Sequence, residues 1–191
     1  MHIRVHAAKL RKAALLVLLP LAGCKPPAAD NYVERVGISQ RQAPSPPIAS
    51  PDSKGAIWVP SPKRVERLLY GKPGQPPLMA LECNGKGASA AITYTRFAAA
   101  DRDAQAILAL IGNGHVSRLK IDATREGDAW LWHGSVNPHD EALEALTGSH
   151  RVEATVPGAG SVILNASPLP GELIRLCRAQ SPEPATPAAT E

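Results

Sequence analysis

Three cysteines, Cys24, Cys83 and Cys177, carry the most specific chemistry in this chain, because a thiol can be acylated, oxidised or bound to a metal. Cys24 directly follows Leu-Ala-Gly at residues 21–23. Upstream lie basic residues and an apolar run at residues 13–21. That run is about nine residues long, whereas a membrane-spanning helix needs roughly 20, so the segment is typical of a cleaved export signal.

The Leu-Ala-Gly-Cys sequence at residues 21–24 resembles the lipobox that ends a bacterial lipoprotein signal peptide. The resemblance implies that Cys24 receives a diacylglyceryl thioether and that residues 1–23 are removed. It also implies that the new amino group is acylated, usually by a fatty acid such as palmitate. Two or more acyl chains anchor a protein stably, so the mature chain is expected to stay on a membrane. The alternative is an ordinary secretory signal with a chance cysteine.

The compartment decides how the other two cysteines are interpreted. Lys25 stands where an aspartate would, in some bacteria, retain a lipoprotein in the inner membrane, which favours the outer membrane and a periplasm-facing domain. That compartment is oxidising, so an even pair of cysteines predicts a disulfide between Cys83 and Cys177. Two buried free thiols are the alternative. A metal site is disfavoured, because these cysteines lack the CxxC spacing of paired ligands.

The histidines and serines show no recognised catalytic spacing. His133 and His139 bracket a turn near Asp140 and Glu141, from which a metal or acid–base site could be built. However, the chain has no HExxH signature, and no serine lies in a GxSxG motif. The two acidic residues also suit the first turn of a helix. We therefore predict no catalytic residue, no metal site and no cofactor, and a protein that is not an enzyme.

Two tryptophans, Trp130 and Trp132, lie two residues apart and so share one face of a predicted strand. They are interpreted as an inward row of the core. The alternative is an exposed stacking platform for sugar rings.

The formal net charge of +4 belongs to the part expected to be removed. The chain has 21 Lys and Arg against 17 Asp and Glu, and the residues before Cys24 include four basic and no acidic ones, so 17 remain against 17. Nucleic-acid-binding domains are basic, and no mature stretch combines clustered Lys and Arg with aromatic residues, so nucleic-acid binding is excluded. The four basic residues are Arg4, Lys9, Arg11 and Lys12.

Composition divides the chain into four parts. Residues 1–23 are the signal peptide, and residues 24–62, rich in Pro, Ser and Ala, are interpreted as a semi-extended tether. Residues 63–178 form one globular domain of ordinary size. Residues 179–191 are interpreted as a disordered tail.

The domain is predicted to be α+β, mainly antiparallel sheet with two short helices, and a small β-barrel or sandwich is the alternative. Alternating apolar residues bounded by turn signals predict the strands, among them Gly112-Asn113-Gly114 as a hairpin turn. The helices are predicted to begin at Asn137, as an N-cap, and near Ser167. The predicted strands are residues 78–83, 88–96, 104–111, 115–123, 129–135, 151–156 and 161–165. A short helical turn is the alternative for residues 104–111.

Two resemblances concern the domain. The order of a strand ending in Cys83, a run of hairpins and a helix ending in Leu-Cys-Arg at residues 176–178 is similar to a group of uncharacterised exported proteins of alphaproteobacteria. The run Glu-Cys-Asn-Gly-Lys at residues 82–86, with Ile-Thr-Tyr at 92–94, resembles the opening of the membrane-bound C-type lysozyme inhibitors. Those are lipoproteins with a small disulfide-bridged β-barrel. Their Ser-Gly-x-x-Tyr motif, which carries the inhibitory serine loop, has no equivalent here.

Together these features predict a lipid-anchored envelope lipoprotein whose domain binds a protein or glycan partner without catalysis. The competing hypothesis is a hydrolase, or a lysozyme-inhibitor-like protein, that acts at envelope polymers. A gathering of His115, His133 or His139 with a carboxylate in one pocket would favour the enzyme, and scattering would oppose it.

Overall fold

A computed structural model describes residues 44–182. The signal peptide, Cys24 and the predicted tether up to residue 43 lie outside the described residues, as does the predicted tail from residue 183. Nine strands form one sheet in which each pair of neighbours is antiparallel. They are β1 (Ile57–Pro60), β2 (Arg67–Gly71), β3 (Met79–Asn84), β4 (Ala91–Ala99), β5 (Gln105–Gly112), β6 (His115–Glu126), β7 (Ala129–Val136), β8 (Val152–Val156) and β9 (Gly160–Leu164).

The strand order is β1-β2-β3-β4-β7-β6-β5-β8-β9, and the sheet curls into a nearly closed barrel. The buried apolar side chains fill its interior and the space under the helices. The prediction of a mainly antiparallel domain with two short helices is confirmed, with the barrel as its architecture.

The seam between the two edge strands is closed by side chains and by the segment that precedes β1. Tyr70 Oη on β2 donates to the carbonyl oxygen of Ile163 at 2.7 Å and accepts from Asn165 N at 3.0 Å. Asn165 Nδ2 donates to the carbonyls of Ser53 and Ala56, at 3.1 and 2.8 Å. Residues 44–56, called the strap below, thus cover the free edge of β9, which would otherwise expose unpaired backbone groups.

This strap corrects the predicted boundary of the domain, because residues assigned to the tether are part of the barrel. Trp58 on β1 is only 5 % exposed, and the backbone N–H of Ile48 donates to Gly158 O at 2.7 Å. The tether was predicted to extend to residue 62 because residues 44–62 are rich in proline. The prolines prevent residues 44–51 from forming a regular ladder, but their neighbours still hydrogen-bond to the sheet edge through turns and side chains.

The helices close one end of the barrel. A short α1 (Glu144–Thr147) follows a 3-10 turn at Glu141–Leu143, and α2 (Leu169–Ala179) is the last element. The predicted cap at Asn137 is wrong: Asp140 caps the turn by accepting from Ala142 N at 2.8 Å. Asn137 instead accepts from His139 N in a preceding turn.

A disulfide joins β3 to α2, as predicted. Cys83 and Cys177 are bonded, with their Cα atoms 5.6 Å apart and a sequence separation of 94. Both residues are buried, at 4 % and 0 % exposure. Within residues 44–182, no helix has the length and apolar character that crossing a membrane requires.

Candidate functional site

A polar groove with a volume of about 630 Å³ lies on the outer face of the barrel. It crosses five neighbouring strands, from β2 through β3, β4 and β7 to β6. We call it the polar groove. It is lined by Arg64, Arg67, Glu82, Asn84, Thr93, Thr95, Lys120, Asp122, Thr124, Glu126, His133, Gly134 and Ser135.

The period of the strands puts these side chains on one face. Successive residues of a strand point to opposite faces, so Thr93 and Thr95 point outward while Ile92 and Tyr94 fill the core. The register then aligns the outward residues of adjacent strands in rows. One row runs through Arg67, Glu82, Thr93 and Ser135, and a second runs through Thr95, His133 and Asp122.

The β2 side of the groove holds a compact ion-pair cluster. Arg64 Nη1 contacts both carboxylate oxygens of Glu82 at 2.9 Å, and Arg67 Nη1 lies 3.4 Å from Glu82 Oε2. The side chain of Glu82 is only 13 % exposed, whereas that of Arg64 is 58 % exposed. Arg67 Nε is buried and has no hydrogen-bond partner in the described part of the chain. Two arginines against one carboxylate leave this side with a net positive charge.

The opposite side of the groove is centred on His133. Its Nδ1 lies 3.1 Å from Thr95 Oγ1 and its Nε2 lies 3.2 Å from Glu126 Oε2. A hydroxyl, an imidazole and a carboxylate in this order are the groups that a nucleophilic hydrolase uses. Asp122 also lies on this side, so the two carboxylates of Glu126 and Asp122 outweigh the single positive charge of Lys120 and leave a net negative charge.

The sheet limits what this histidine cluster can do chemically. Thr95 is only 7 % exposed and forms part of the groove floor. Thr95 and His133 lie in strands paired on both sides, so their backbone N–H groups are committed to the sheet. An oxyanion hole needs free donors aimed at one point, and these two residues supply none from the backbone. The geometry is better suited to binding a polar ligand through side-chain hydrogen bonds.

The other histidines lie away from the groove. His139 Nε2 is 2.9 Å from Ser181 Oγ, and the backbone N–H of His150 donates to Asn113 Oδ1 at 2.8 Å. His115 pairs with Gly112 at the β5–β6 hairpin. Thus His133 alone of these histidines joins a carboxylate in a concave site, and His115 and His139 do not converge on it. Residues 44–182 contain no group of three or more His, Cys, Asp or Glu placed to hold a metal ion.

One side of the groove was not predicted, because β6 is longer than the predicted strand at residues 115–123. Glu126 lies beyond the predicted strand at residues 115–123, whereas β6 continues to that residue and the tight turn Gly127-Asp128 follows it. The signal was present as an alternation of polar and apolar residues. Lys120, Asp122 and Thr124 are polar, while the residues between them are Ile121 and Ala123. The length of β6 is thus what places Glu126 beside His133.

The residues that carry the resemblance to the lysozyme inhibitors lie in β3, the following turn and β4, and Glu82 among them lines the groove. Searches of protein-family models, curated proteins and solved structures found nothing that matches this chain.

Proposed function

We propose that this protein is a lipid-anchored envelope lipoprotein whose barrel binds a protein or glycan partner, without catalysis, in the polar groove. The observation that carries the proposal is the groove itself. It presents twelve polar or charged side chains, from Arg64 in the loop before β2 to the residues of β6. Charged and hydrogen-bonding side chains that converge on one concave surface can recognise a partner of complementary charge. The lipobox at residues 21–24 supports an anchor on the periplasmic side, with the outer membrane preferred.

The charges of the groove indicate what such a partner offers. The arginine cluster around Glu82 suits an anionic group, and the side near Asp122 and Glu126 suits a cationic or hydrogen-bond-donating group. Hydroxyls of Thr93 and Ser135 lie between the two sides. A ligand with both kinds of group, such as a peptide segment or an amino-sugar polymer, fits this pattern.

Groove binding is tested by photo-crosslinking in the intact envelope. A photoreactive residue placed at the exposed groove position Thr124 should form a covalent adduct, and the same residue at Glu172 on α2 should not. Asp122→Ala should reduce the Thr124 adduct. Protease or glycosidase treatment of the adduct distinguishes a protein partner from a glycan. Equal labelling at both positions would contradict the proposal.

The anchor is tested separately by mass spectrometry of the mature amino terminus. A diacylglyceryl-modified, N-acylated Cys24 is expected, and Cys24→Ser should leave an uncut precursor. An unmodified amino terminus elsewhere would rule out the anchor without bearing on the groove.

A second candidate function is hydrolysis of an envelope polymer, which the contacts of His133 with Thr95 and Glu126 favour. It predicts that the purified protein releases soluble fragments from peptidoglycan and that His133→Ala abolishes this release. His150→Ala, outside the groove, is the matched control. No release by the unaltered protein would leave binding as the function.

A further inference from the structure

A second outer face of the barrel carries exposed aliphatic side chains. Ile107 and Ile111 on β5 and Val116 on β6 are 41, 52 and 61 % exposed, respectively. Ile111 pairs directly with Val116, and Ala109 separates the two isoleucines on the same outer row of β5. We call these four residues the β5 face. Contiguous exposed apolar residues rimmed by polar ones mark interaction surfaces.

Opposite charges lie on the two sides of the β5 face. Glu153 on β8 is opposite Ile111 across one side of β5, and Arg118 on β6 is opposite Ala109 across the other side. Lys120 follows Arg118 on β6, opposite Ile107. None of these three charged residues makes a salt bridge with another residue in 44–182. Around Ala109 and Ile111 the face therefore has a carboxylate on its β8 side, a guanidinium on its β6 side and apolar residues between, with the exposed Arg151 beyond Glu153, just before β8.

We infer that the β5 face is the interface of a symmetric dimer with a second copy of this chain. In a two-fold dimer the same patch meets itself, so the patch must complement itself. A two-fold axis along β5 brings the β8 side of one copy onto the β6 side of the other. Glu153 lies in the cross-strand row of Ile111, and the second copy's Arg118 lies in the neighbouring row, that of Ala109. The β5 side chains of the two copies meet at the centre.

The direction of this axis also agrees with membrane attachment, an argument that rests on the proposed lipid anchor. An axis parallel to the strands keeps both barrels pointing the same way. The strap enters at one end of the barrel, where Ser45 binds Asp101 after β4 and Ile48 binds Gly158 between β8 and β9. Both straps therefore leave on the same side, as two anchors in one membrane require. An axis perpendicular to the strands would instead place β8 of one copy on β8 of the other. The two Glu153 carboxylates would then lie on the same side of the interface, and the two straps would point in opposite directions.

The dimer is tested by sedimentation equilibrium of the chain from residue 24 with Cys24→Ser, which removes the lipid site and keeps the described residues intact. Because the face is narrow, we expect a monomer–dimer equilibrium with a dissociation constant on the order of 10 to 500 µM. A monomer at all concentrations up to about 1 mM would overturn the inference. This result does not depend on the groove or the anchor, so it separates the inference from the proposed function.

Matched variants locate the interface. Ile111→Arg should weaken dimerisation by at least about tenfold, a change of 1.4 kcal/mol or more. Ile57→Arg is the control, because Ile57 is 49 % exposed but lies on β1, away from the β5 face. Equal loss in both variants would overturn the inference.

Charge reversal provides a second test that does not alter the apolar centre. Glu153→Arg and Arg118→Glu should each weaken the dimer, and the double variant should restore it, since the ion pair is then re-formed with its charges exchanged. No recovery in a folded double variant, verified by its circular dichroism melting curve, would contradict the axis proposed here.

Discussion

Tyr94 on β4 donates a 2.6 Å hydrogen bond from its hydroxyl to the backbone carbonyl of Lys120 on β6, across β7. The ring of Tyr94 crosses β7 at Gly134, where an added Cβ would collide with the ring and with the Lys120 carbonyl. Burial, followed by the nearby charges of Asp140 and Asp122, raises the pKa of Tyr94 to about 12, so the hydroxyl stays a donor. The pairing of β6 with β7 ends at Asp122 and His133, so the hydroxyl of Tyr94 satisfies a backbone carbonyl of Lys120 that lies beyond this ladder.

Gly134→Ala is therefore expected to destabilise the domain by about 1 to 3 kcal/mol or more, because a well-packed interior does not accept an extra methyl group without displacement. Urea unfolding followed by circular dichroism measures this change. The neighbouring Ser135→Ala, on the outer face, is the control and should change the unfolding free energy by less than about 0.5 kcal/mol. Equal stability of the two variants would show that the Tyr94 ring moves aside at little cost.

Removal of the disulfide should destabilise the domain strongly. The bond between Cys83 and Cys177 closes a loop with a sequence separation of 94, for which the chain-entropy model gives roughly 4 to 5 kcal/mol. Cys83→Ala with Cys177→Ala should lower the urea midpoint accordingly, and Cys24→Ser should not alter it. A reductant should lower the midpoint of the parent chain but not that of the double variant. An unchanged midpoint after reduction would contradict a stabilising role.

The elements of this fold could be predicted wherever alternation and turn residues agreed. The β5–β6 hairpin is an example: Asn113 and Gly114 adopt φ of 51° and 81°, as a two-residue turn between paired strands requires. Neither β1 nor β2 was predicted, since the first predicted strand begins at residue 78; the apolar run of β1 has only four residues, 56–59, before Pro60, which is too little pattern to identify a strand. The place of β1 beside β2 depends on tertiary contacts of Trp58 and Tyr70, whose rings lie 5.1 Å apart.

The inward position of Arg96 could not be predicted from local sequence either. A charged residue usually lies at the surface. Arg96 is only 3 % exposed, and its guanidinium donates to the carbonyls of Leu78, Phe97 and Ala159 at 3.1 to 3.3 Å. Burial lowers the pKa of this guanidinium. The three carbonyls come from separate parts of the chain, so only the folded barrel brings them together.

The groove likewise depends on register, which aligns Glu82 with Thr93 and His133 with Asp122.

The two tryptophans should respond differently to truncation. Trp132 is 6 % exposed, which confirms its predicted core position, whereas Trp130 is half-buried near the strand end with Arg102 6.0 Å from its ring. Trp132→Ala should cost about 3 to 5 kcal/mol of unfolding free energy, and Trp130→Ala clearly less, since it leaves a smaller cavity. Acrylamide quenching of the single-tryptophan variants should show the same order. A larger loss for Trp130 would be inconsistent with this burial.

Arg96→Met should also destabilise the barrel, because it removes the guanidinium donor from three carbonyl oxygens, although that of Leu78 still accepts from the backbone N–H of Phe97 at 3.0 Å. Each unsatisfied buried group costs about 1 to 3 kcal/mol, although the change also removes the cost of burying a charge. We expect a net loss of about 1 to 4 kcal/mol in urea unfolding. Arg102→Met, at an exposed position, is the control. A more stable Arg96→Met variant would show that burying the charge outweighs its hydrogen bonds.

The attachment of the strap should depend on acid pH. Asp101 accepts from the hydroxyl and the backbone N–H of Ser45, at 2.6 and 2.9 Å, and these two hydrogen bonds lower the pKa of its carboxyl group. Because the pKa is lower in the folded state, the stabilisation is fully present above the ordinary value of about 3.9 and is lost as the pH falls through the lowered value. The amide signal of Ser45, followed by NMR, should therefore shift with a midpoint below about 3.9. Asp101→Asn should remove this transition, while the amide of Ile48, bound to Gly158 O, serves as an internal reference. A midpoint at or above the ordinary value would show that Asp101 does not hold the strap.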